Sequence, residues 1–264
     1  MSTTYSGRTV VVTGGTSGIG LATTKCFLEA GANVAICGRD EGRLDTALAD
    51  IKNEYGEEHL FGATCDVLIQ EQVDDFANAV VTRFGGVDTL VNNAGQARLS
   101  TFANTDDDMW REELDLKFFS IIHPTKGFQA HLEKSNSGAI VCVSSLLSRQ
   151  PEPRLVATSA ARAGQLSLVH SMANELAPAI RVNSILIGVI VSGQWQRRFE
   201  ADENSGNDMD AWLRKQAVEK GIPLGRFGQP EEAANAIFFL GTPMSSYTTG
   251  STIDLSGGYS RHVG

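Results

Sequence analysis

Residues Thr13-Gly14-Gly15-Thr16-Ser17-Gly18-Ile19-Gly20 follow the β-branched run Val10-Val11-Val12. A helical pattern comes next, with Leu21, Ala22, Thr24, Lys25, Phe27 and Leu28. A buried strand that ends in glycines and re-emerges as a helix aims backbone N–H groups and a helix N-terminus at one point, which suits a phosphate. In this arrangement Gly14 permits the tight turn, Gly18 lets backbone approach the ligand, and Gly20 lets helix and strand pack closely. Thr13 can tie the turn with its hydroxyl, and Thr16, Ser17 and Ile19 lie within ligand reach. Taken alone, the turn also fits a strand–helix connection that binds nothing. A second group sharpens it. The next apolar run ends Ile36-Cys37-Gly38-Arg39. An NAD site puts a carboxylate at this strand tip to hold the adenosine ribose. Gly38 offers none, whereas Arg39 brings a fixed charge and a bidentate fork suited to a ribose 2′-phosphate, favouring NADP(H) over NAD(H). Asp40, one residue on, is the rival occupant of that tip.

These residues need a scaffold that brings strand ends together. Apolar runs alternate with amphipathic helix patterns, which predicts an α/β fold: a doubly wound parallel sheet with helices on both faces. The predicted strands are 9–13, 33–37, 59–63, 87–92, 139–143, 180–187 and 251–254. The main helices are predicted over 70–84, 107–132, with a bend near Pro124, and 156–176. No repeat or linker divides the chain, so residues 1–264 are expected to form a single domain. The least regular stretch is 193–221, with Trp195, Phe199 and Trp212 and a polar tip at Asp202-Glu203-Asn204-Ser205-Gly206. Such an insertion reads as a substrate lid or as a plain surface excursion.

Composition limits the function classes. The 264 residues suffice for one large domain, and 42% hydrophobic content argues against disorder. The net charge of −9 disfavours nucleic-acid binding. No apolar run approaches the ~18–20 residues of a membrane span, and Met1–Ser6 lacks the regions of a signal peptide. Cys26, Cys37, Cys65 and Cys142 have no metal-ligand spacing and sit in apolar elements. No metal is expected, and reduced thiols fit a cytoplasmic location.

Several motifs together resemble the short-chain dehydrogenase/reductase family, from about residue 7 to the C-terminus. Thr13–Gly20 looks like its cofactor motif, and Cys65-Asp66-Val67 like the turn whose Asp contacts adenine. Asn92-Asn93-Ala94-Gly95 resembles the fourth-strand motif that buttresses the sheet and lines the cofactor. Arg181-Val182-Asn183-Ser184, Tyr247-Thr248-Thr249-Gly250 and Ser256-Gly257-Gly258 resemble later signatures. The resemblance implies a seven-stranded single-domain Rossmann fold and a nicotinamide cofactor. It also implies a small-molecule substrate, a mobile lid at 193–221, and a homotetramer or homodimer built on the two long helices.

The family's chemistry usually rests on Asn, Ser, Tyr and Lys, and here the chain departs. Aligned by the surrounding motifs, Ser145 keeps the serine. Thr158 stands in the tyrosine's place, Arg162 in the lysine's and Lys117 in the asparagine's, while the sixth-strand Pro-Gly is Ile187-Gly188. A Thr hydroxyl is a poor acid, so Thr158 suits a hydrogen-bond donor. Arg162 stays charged; it can bind ribose hydroxyls and stabilise an oxyanion. Lys117 is the replacement that can titrate, and burial beside Arg162 would lower its pKa. The expected centre therefore has Lys117 as relocated general acid/base, Ser145 and Thr158 polarising a carbonyl, and Arg162 on the ribose. A decayed site is the competing reading. Of the four tyrosines, Tyr5, Tyr55 and Tyr247 are remote, and Tyr259 is left open as a tertiary substitute.

His123 is expected to pack or cap. Arg98, Arg149 and Arg154 follow strand ends and suit either an anionic substrate or ordinary charged loops. The leading function is an NADP(H)-dependent oxidoreductase of a carbonyl/alcohol pair. Behind it come a cofactor-binding sensor or scaffold with little turnover, and a lyase or dehalogenase on the same scaffold.

Overall fold

The computed structural model describes residues 4–202 and 205–262. Seven parallel strands form one sheet: β1 (Thr9–Thr13), β2 (Asn33–Gly38), β3 (Leu60–Thr64), β4 (Thr89–Asn92), β5 (Ala139–Ser145), β6 (Arg181–Ile187) and β7 (Thr252–Leu255), in the order β3-β2-β1-β4-β5-β6-β7. The order reverses between β1 and β4, which opens a crevice at their carboxyl ends, where ligands of doubly wound sheets bind. Strand alternation fixes the layers. Val10 and Val12 face a core with Phe27, Ile51 and Ile237, from α1 (Gly18–Glu29), α2 (Glu41–Tyr55) and α8 (Pro230–Gly241). Val11 faces the other core, with Phe76, Phe128 and Val169 from α3 (Gln70–Phe84), α4 (Asp107–Leu132) and α5 (Val156–Glu175).

The sequence located every strand, with shifts at the ends. β4 starts at Thr89 rather than at 87, and just before it the Asp88 carboxylate takes the Thr9 N–H at 2.9 Å and the Arg8 guanidinium at 2.7 Å. β5 runs two residues beyond the predicted 143 and pairs Ser145 with Ile187. The serine is thereby carried on the rigid strand end. Pro124 lies inside an uninterrupted α4.

The stretch 193–221 is more regular than its composition suggests. It holds α6 (Gly193–Ala201) and α7 (Met209–Lys220). Its tip is described at Asp202, Ser205 and Gly206, while Glu203 and Asn204 lie outside the described residues. The three aromatic residues form a small separate core with Phe227, and Trp195 also lines the cleft at the carboxyl ends of the strands. Trp195 meets Phe227 at 4.7 Å, Phe199 meets Trp212 at 5.7 Å, and Trp212 Nε1 donates to Asp202 at 2.8 Å. Among the described residues, no helix is long and apolar enough to cross a membrane.

Candidate active site

The ends of β1, β2 and β4 enclose one side of a cleft of about 990 Å³. Its floor is the Gly-rich turn. Asn93 Nδ2 donates to the carbonyls of Thr13 and Gly14 at 3.0 and 3.1 Å, and Thr13 Oγ1 accepts the N–H groups of Asn93 and Ala94, both at 3.0 Å. The Thr13 hydroxyl thus ties the turn to the chain after β4. Gly14 has φ +65°, and a Cβ on Gly20 would stand 2.2 Å from the Gly14 carbonyl oxygen. Turn and helix–strand contact therefore each require glycine. Gly20 packs against the turn, Gly18 has φ +54°, and Gly14, Thr16, Ser17 and Ile19 line the cleft. Ser17 precedes α1 in an extended conformation and makes no capping bond. The first-turn N–H groups are left to an anion.

Arg39 and Arg43 stand at the far end of the cleft, with Asp66 and Val67 on its wall. Asp40 is committed to α2: its Oδ1 accepts the Arg43 N–H at 2.9 Å, and Oδ2 lies 3.2 Å from Arg43 Nε. Arg39 is exposed and makes a long contact to Asp66, at 3.9 Å. The sequence reading missed Arg43; its place one turn into α2, capped by Asp40, was the signal available. Gly95 and Gly188 line the middle of the cleft with Ala94 and Asn93. A Cβ on Gly95 would stand 3.8 Å from the Arg162 guanidinium, in ordinary van der Waals contact, so the two residues are neighbours on the cleft. These residues fit a dinucleotide: N–H groups for a pyrophosphate, cations for a ribose phosphate, and small residues where a ring must pass.

Ser145, Thr158 and Arg162 lie on the cleft wall at its other end. Ser145 Oγ accepts the Leu147 N–H at 3.3 Å, which leaves its own proton for a ligand. Arg162 donates to the Val143 carbonyl at 2.8 Å and to Gln165 Oε1 at 3.1 Å. Burial lowers its pKa to about 10, against the pull of Glu113, so it is cationic at neutral pH.

Two expectations change. Lys117 does not reach the cleft surface. It is 1% exposed, and its Nζ donates to the Gln96 carbonyl at 2.7 Å and pairs with Glu113 Oε1 at 2.7 Å. Glu113 lies one helical turn earlier on α4, so the two side chains share a face. Thr158 turns its hydroxyl inward, donating to the same Glu113 oxygen at 2.5 Å. The reason is electrostatic: a buried ammonium needs a carboxylate, and the carboxylate draws the nearest hydroxyl. Burial and the neighbouring Arg162 lower the Lys117 pKa to about 8, with Glu113 opposing and Arg98 adding to the fall. Glu113 was missed by the sequence reading, though its spacing from Lys117 on a predicted helix could have flagged it. Gln165 locks α5 to α4 through the Lys117 carbonyl at 2.5 Å.

Other candidates fall into place. His123 packs on Phe119 and bonds the Val67 carbonyl at 3.1 Å, as expected. Arg98 pairs with Glu112 and lies off the cleft. Arg154 lines the cleft, as does Tyr259, half-buried beside the small aromatic core.

Comparison with known proteins places this geometry. A family model described as enoyl-(acyl carrier protein) reductase matches residues 14–260. The chain is 33% identical to a 3-oxoacyl-[acyl-carrier-protein] reductase of Chlamydia muridarum, over 98% of this chain and 99% of that protein. Among solved structures it is similar to a short chain oxidoreductase from Pseudomonas aeruginosa PAO1 described as containing an atypical catalytic center. Identity is 56% over 97% of this chain and 98% of that one, with TM-scores of 0.95 for the apo form and 0.92 for the NADPH-bound form. An L-sorbose reductase from Gluconobacter frateurii, complexed with NADPH and L-sorbose, matches at 30% identity over 100% of both chains with a TM-score of 0.92. The matched span, the seven-stranded parallel order and the tied Gly-rich turn agree: the chain belongs to the short-chain dehydrogenase/reductase family of oxidoreductases.

Proposed function

We propose that the protein is an NADP(H)-dependent oxidoreductase of a small carbonyl/alcohol pair, with preference over NAD(H), working through a rearranged centre. The carrying observation is that Ser145, Thr158 and Arg162 share the cleft wall while Thr158 connects through Glu113 to the buried Lys117 ammonium. The bound dinucleotide supplies the hydride. The Ser145 hydroxyl donates to the substrate oxygen, where charge develops. Arg162 holds ribose hydroxyls and adds positive potential there. Lys117 supplies the proton. Because it does not reach the cleft, the proton passes by Glu113 Oε1 to the Thr158 hydroxyl, which rotates to hand it to the substrate.

Thr16, Ser17, Asp66, Val67, Asn93 and Gly188 are assigned to cofactor contacts on the same reading. Residues 193–221 act as the lid, supported by Trp195, Arg198 and Lys220 entering the cleft wall from α6 and α7. Leu114 and Phe119 are 38% and 37% exposed on α4, which supports pairing of copies through the long helices. The buried free thiols suit a reducing, cytoplasmic setting.

One observation favours the second reading, a cofactor-binding protein with little turnover: Lys117 is sealed from the cleft. Stopped-flow mixing of the NADPH-loaded protein with a panel of ketones, aldehydes and keto acids separates the two. The reductase reading expects stoichiometric loss of NADPH absorbance with at least one carbonyl. No oxidation with any of them overturns it.

A further inference from the structure

A dinucleotide does not use every cation on the cleft. The first-turn N–H groups of α1 suit its pyrophosphate, and Arg39 and Arg43 suit its ribose phosphate. Arg154, Arg198 and Lys220 also line the cleft and are left over. Arg198 lies on α6, and Lys220 ends α7. Both sit on one indole. Arg198 Cζ and Lys220 Nζ are 4.5 and 5.7 Å from the Trp195 ring centroid. The negative face of the ring attracts each cation, yet the two like charges repel one another. Among the described residues, none of the three left-over cations pairs with a carboxylate. Elsewhere Arg111, Lys215 and Arg226 each meet an Asp or Glu within 4.0 Å. In a chain of net charge −9, carboxylates are plentiful, so cations left without one stand out.

The segment from β5 to α5 brings Arg154 to the same rim. It starts from Ser145 and leads to Thr158. Gln150 Oε1, on this segment, accepts the Arg261 N–H at 3.1 Å. Two residues earlier, Tyr259 packs on the Trp212 and Phe227 cluster, as does Trp195. The C-terminal segment thus links the carrier of Arg154 to the carriers of Arg198 and Lys220. The acidic residue that lines the cleft from the β5–α5 segment is Glu152, one carboxylate against these three cations.

We propose that the substrate is anionic: a carbonyl compound bearing a carboxylate or phosphate, held by Arg198 and Lys220 from the lid and by Arg154 from the rim. The inference rests on the reductase reading and names the substrate class of that same site. A carboxylate or phosphate has oxygens for several donors at once and matches a guanidinium in bidentate fashion. Placed between the two lid cations, it also relieves their repulsion. The cations come from α6 and α7, whereas Ser145 comes from β5. The anionic group therefore fixes one end of the substrate while Ser145 takes the carbonyl oxygen at the other. A neutral ketone of the same shape leaves the cations without a counter-charge.

Matched pairs test this: pyruvate and methyl pyruvate, levulinate and methyl levulinate, dihydroxyacetone phosphate and dihydroxyacetone, each with saturating NADPH. In at least one pair the wild type should favour the anion tenfold or more in kcat/KM. In Arg198→Gln/Lys220→Gln that preference should fall to threefold or less through a higher KM for the anion, with the Kd of NADPH within twofold of wild type. No preference for the anion in any pair overturns the proposal. So does a preference that survives both substitutions; if NADPH binding is then weakened tenfold, the lid cations belong to the dinucleotide. If the double variant does not fold, the wild type decides through ionic strength. From about 0.01 to about 1 M salt the screening length falls from ~30 to ~3 Å. The KM for the favoured anion should rise fivefold or more over that range, and that for its neutral partner should stay within twofold. A flat KM for the anion overturns the proposal. Absence of any carbonyl reduction by wild type removes the reductase reading, and thermal unfolding of the NADPH-loaded protein then reads the anion site alone. Its Tm should rise more with the anion of a pair than with the neutral partner, and equal shifts in every pair overturn the anion site.

Discussion

The Thr158 hydroxyl and the Lys117 ammonium meet on one atom, Glu113 Oε1, at 2.5 and 2.7 Å. A buried ion pair of this kind contributes little net stability, but losing one partner is expensive, about 3–5 kcal/mol, because the other charge stays buried. Lys117→Met should therefore lower stability by about that amount and abolish steady-state reduction, with NADPH affinity unchanged. The double variant Lys117→Met/Glu113→Leu should recover most of the stability and none of the turnover. Urea unfolding and NADPH titration check both halves. Full turnover by Lys117→Met would remove the lysine from the mechanism.

The pH profile should follow the same group. Lys117 faces Glu113 on its own helix, Arg162 from α5 and Arg98 from the segment after β4, and its pKa is lowered to about 8. Below that pH it is an ammonium and can give a proton; above it the amine can take one. The kcat for carbonyl reduction should thus fall as pH rises through about 8, and the kcat for alcohol oxidation should rise over the same interval. In Arg162→Gln, removal of the neighbouring cation should move both midpoints upward. Midpoints that stay where they are in that variant would assign the titration to another group.

Much of this centre was legible in the chain, and the illegible part has a physical cause. The Gly-rich turn and Arg39 carry local signals, because backbone geometry and strand-tip chemistry are set by neighbours in sequence. Ser145, Thr158 and Arg162 were placed by motif spacing, and the structure brings them to one wall. What spacing cannot give is the direction of a side chain in a crowded interior. Thr158 turns inward and Lys117 stays sealed because Glu113, on the same face of α4, outcompetes the cleft for both. The aromatic residues of 193–221 divide for a related reason: Trp195 lines the cleft, whereas Phe199 and Trp212 do not. Burial of an indole or phenyl ring is worth more than its exposure to a cleft, so Phe199 and Trp212 pack on one another.

Tyr259 is the tyrosine that the fold brings to the cleft. It packs beside the Trp195 and Phe227 cluster on the lid side, whereas Ser145 and Arg162 stand at the ends of β5 and within α5. A substrate-wall role predicts that Tyr259→Phe changes KM for the carbonyl by no more than about threefold and leaves kcat within twofold. A loss of a hundredfold or more in kcat, with NADPH binding retained, would instead make its hydroxyl the proton donor and leave Lys117 a structural charge.

The last prediction concerns the choice of cofactor. Asp40 caps α2 and pairs with Arg43, so its carboxylate is held at the helix instead of facing a ribose. Arg39 and Arg43 both line that end of the cleft, and Arg39 has only a long contact to Asp66 at 3.9 Å. A 2′-phosphate entering there would meet the two guanidinium groups, each suited to bidentate contact. Charge-assisted hydrogen bonds of this kind contribute about 1.5–3 kcal/mol each, so Arg39→Ala should weaken NADPH binding by roughly ten- to a hundredfold while NADH binding changes little. Thermal unfolding gives the readout: ligand at a hundred times its Kd stabilises by ~2.7 kcal/mol, so at equal concentration NADPH should raise Tm more than NADH in the wild type. In Arg39→Ala that difference should shrink. A larger shift with NADH in the wild type would show that Arg39 does not read a phosphate.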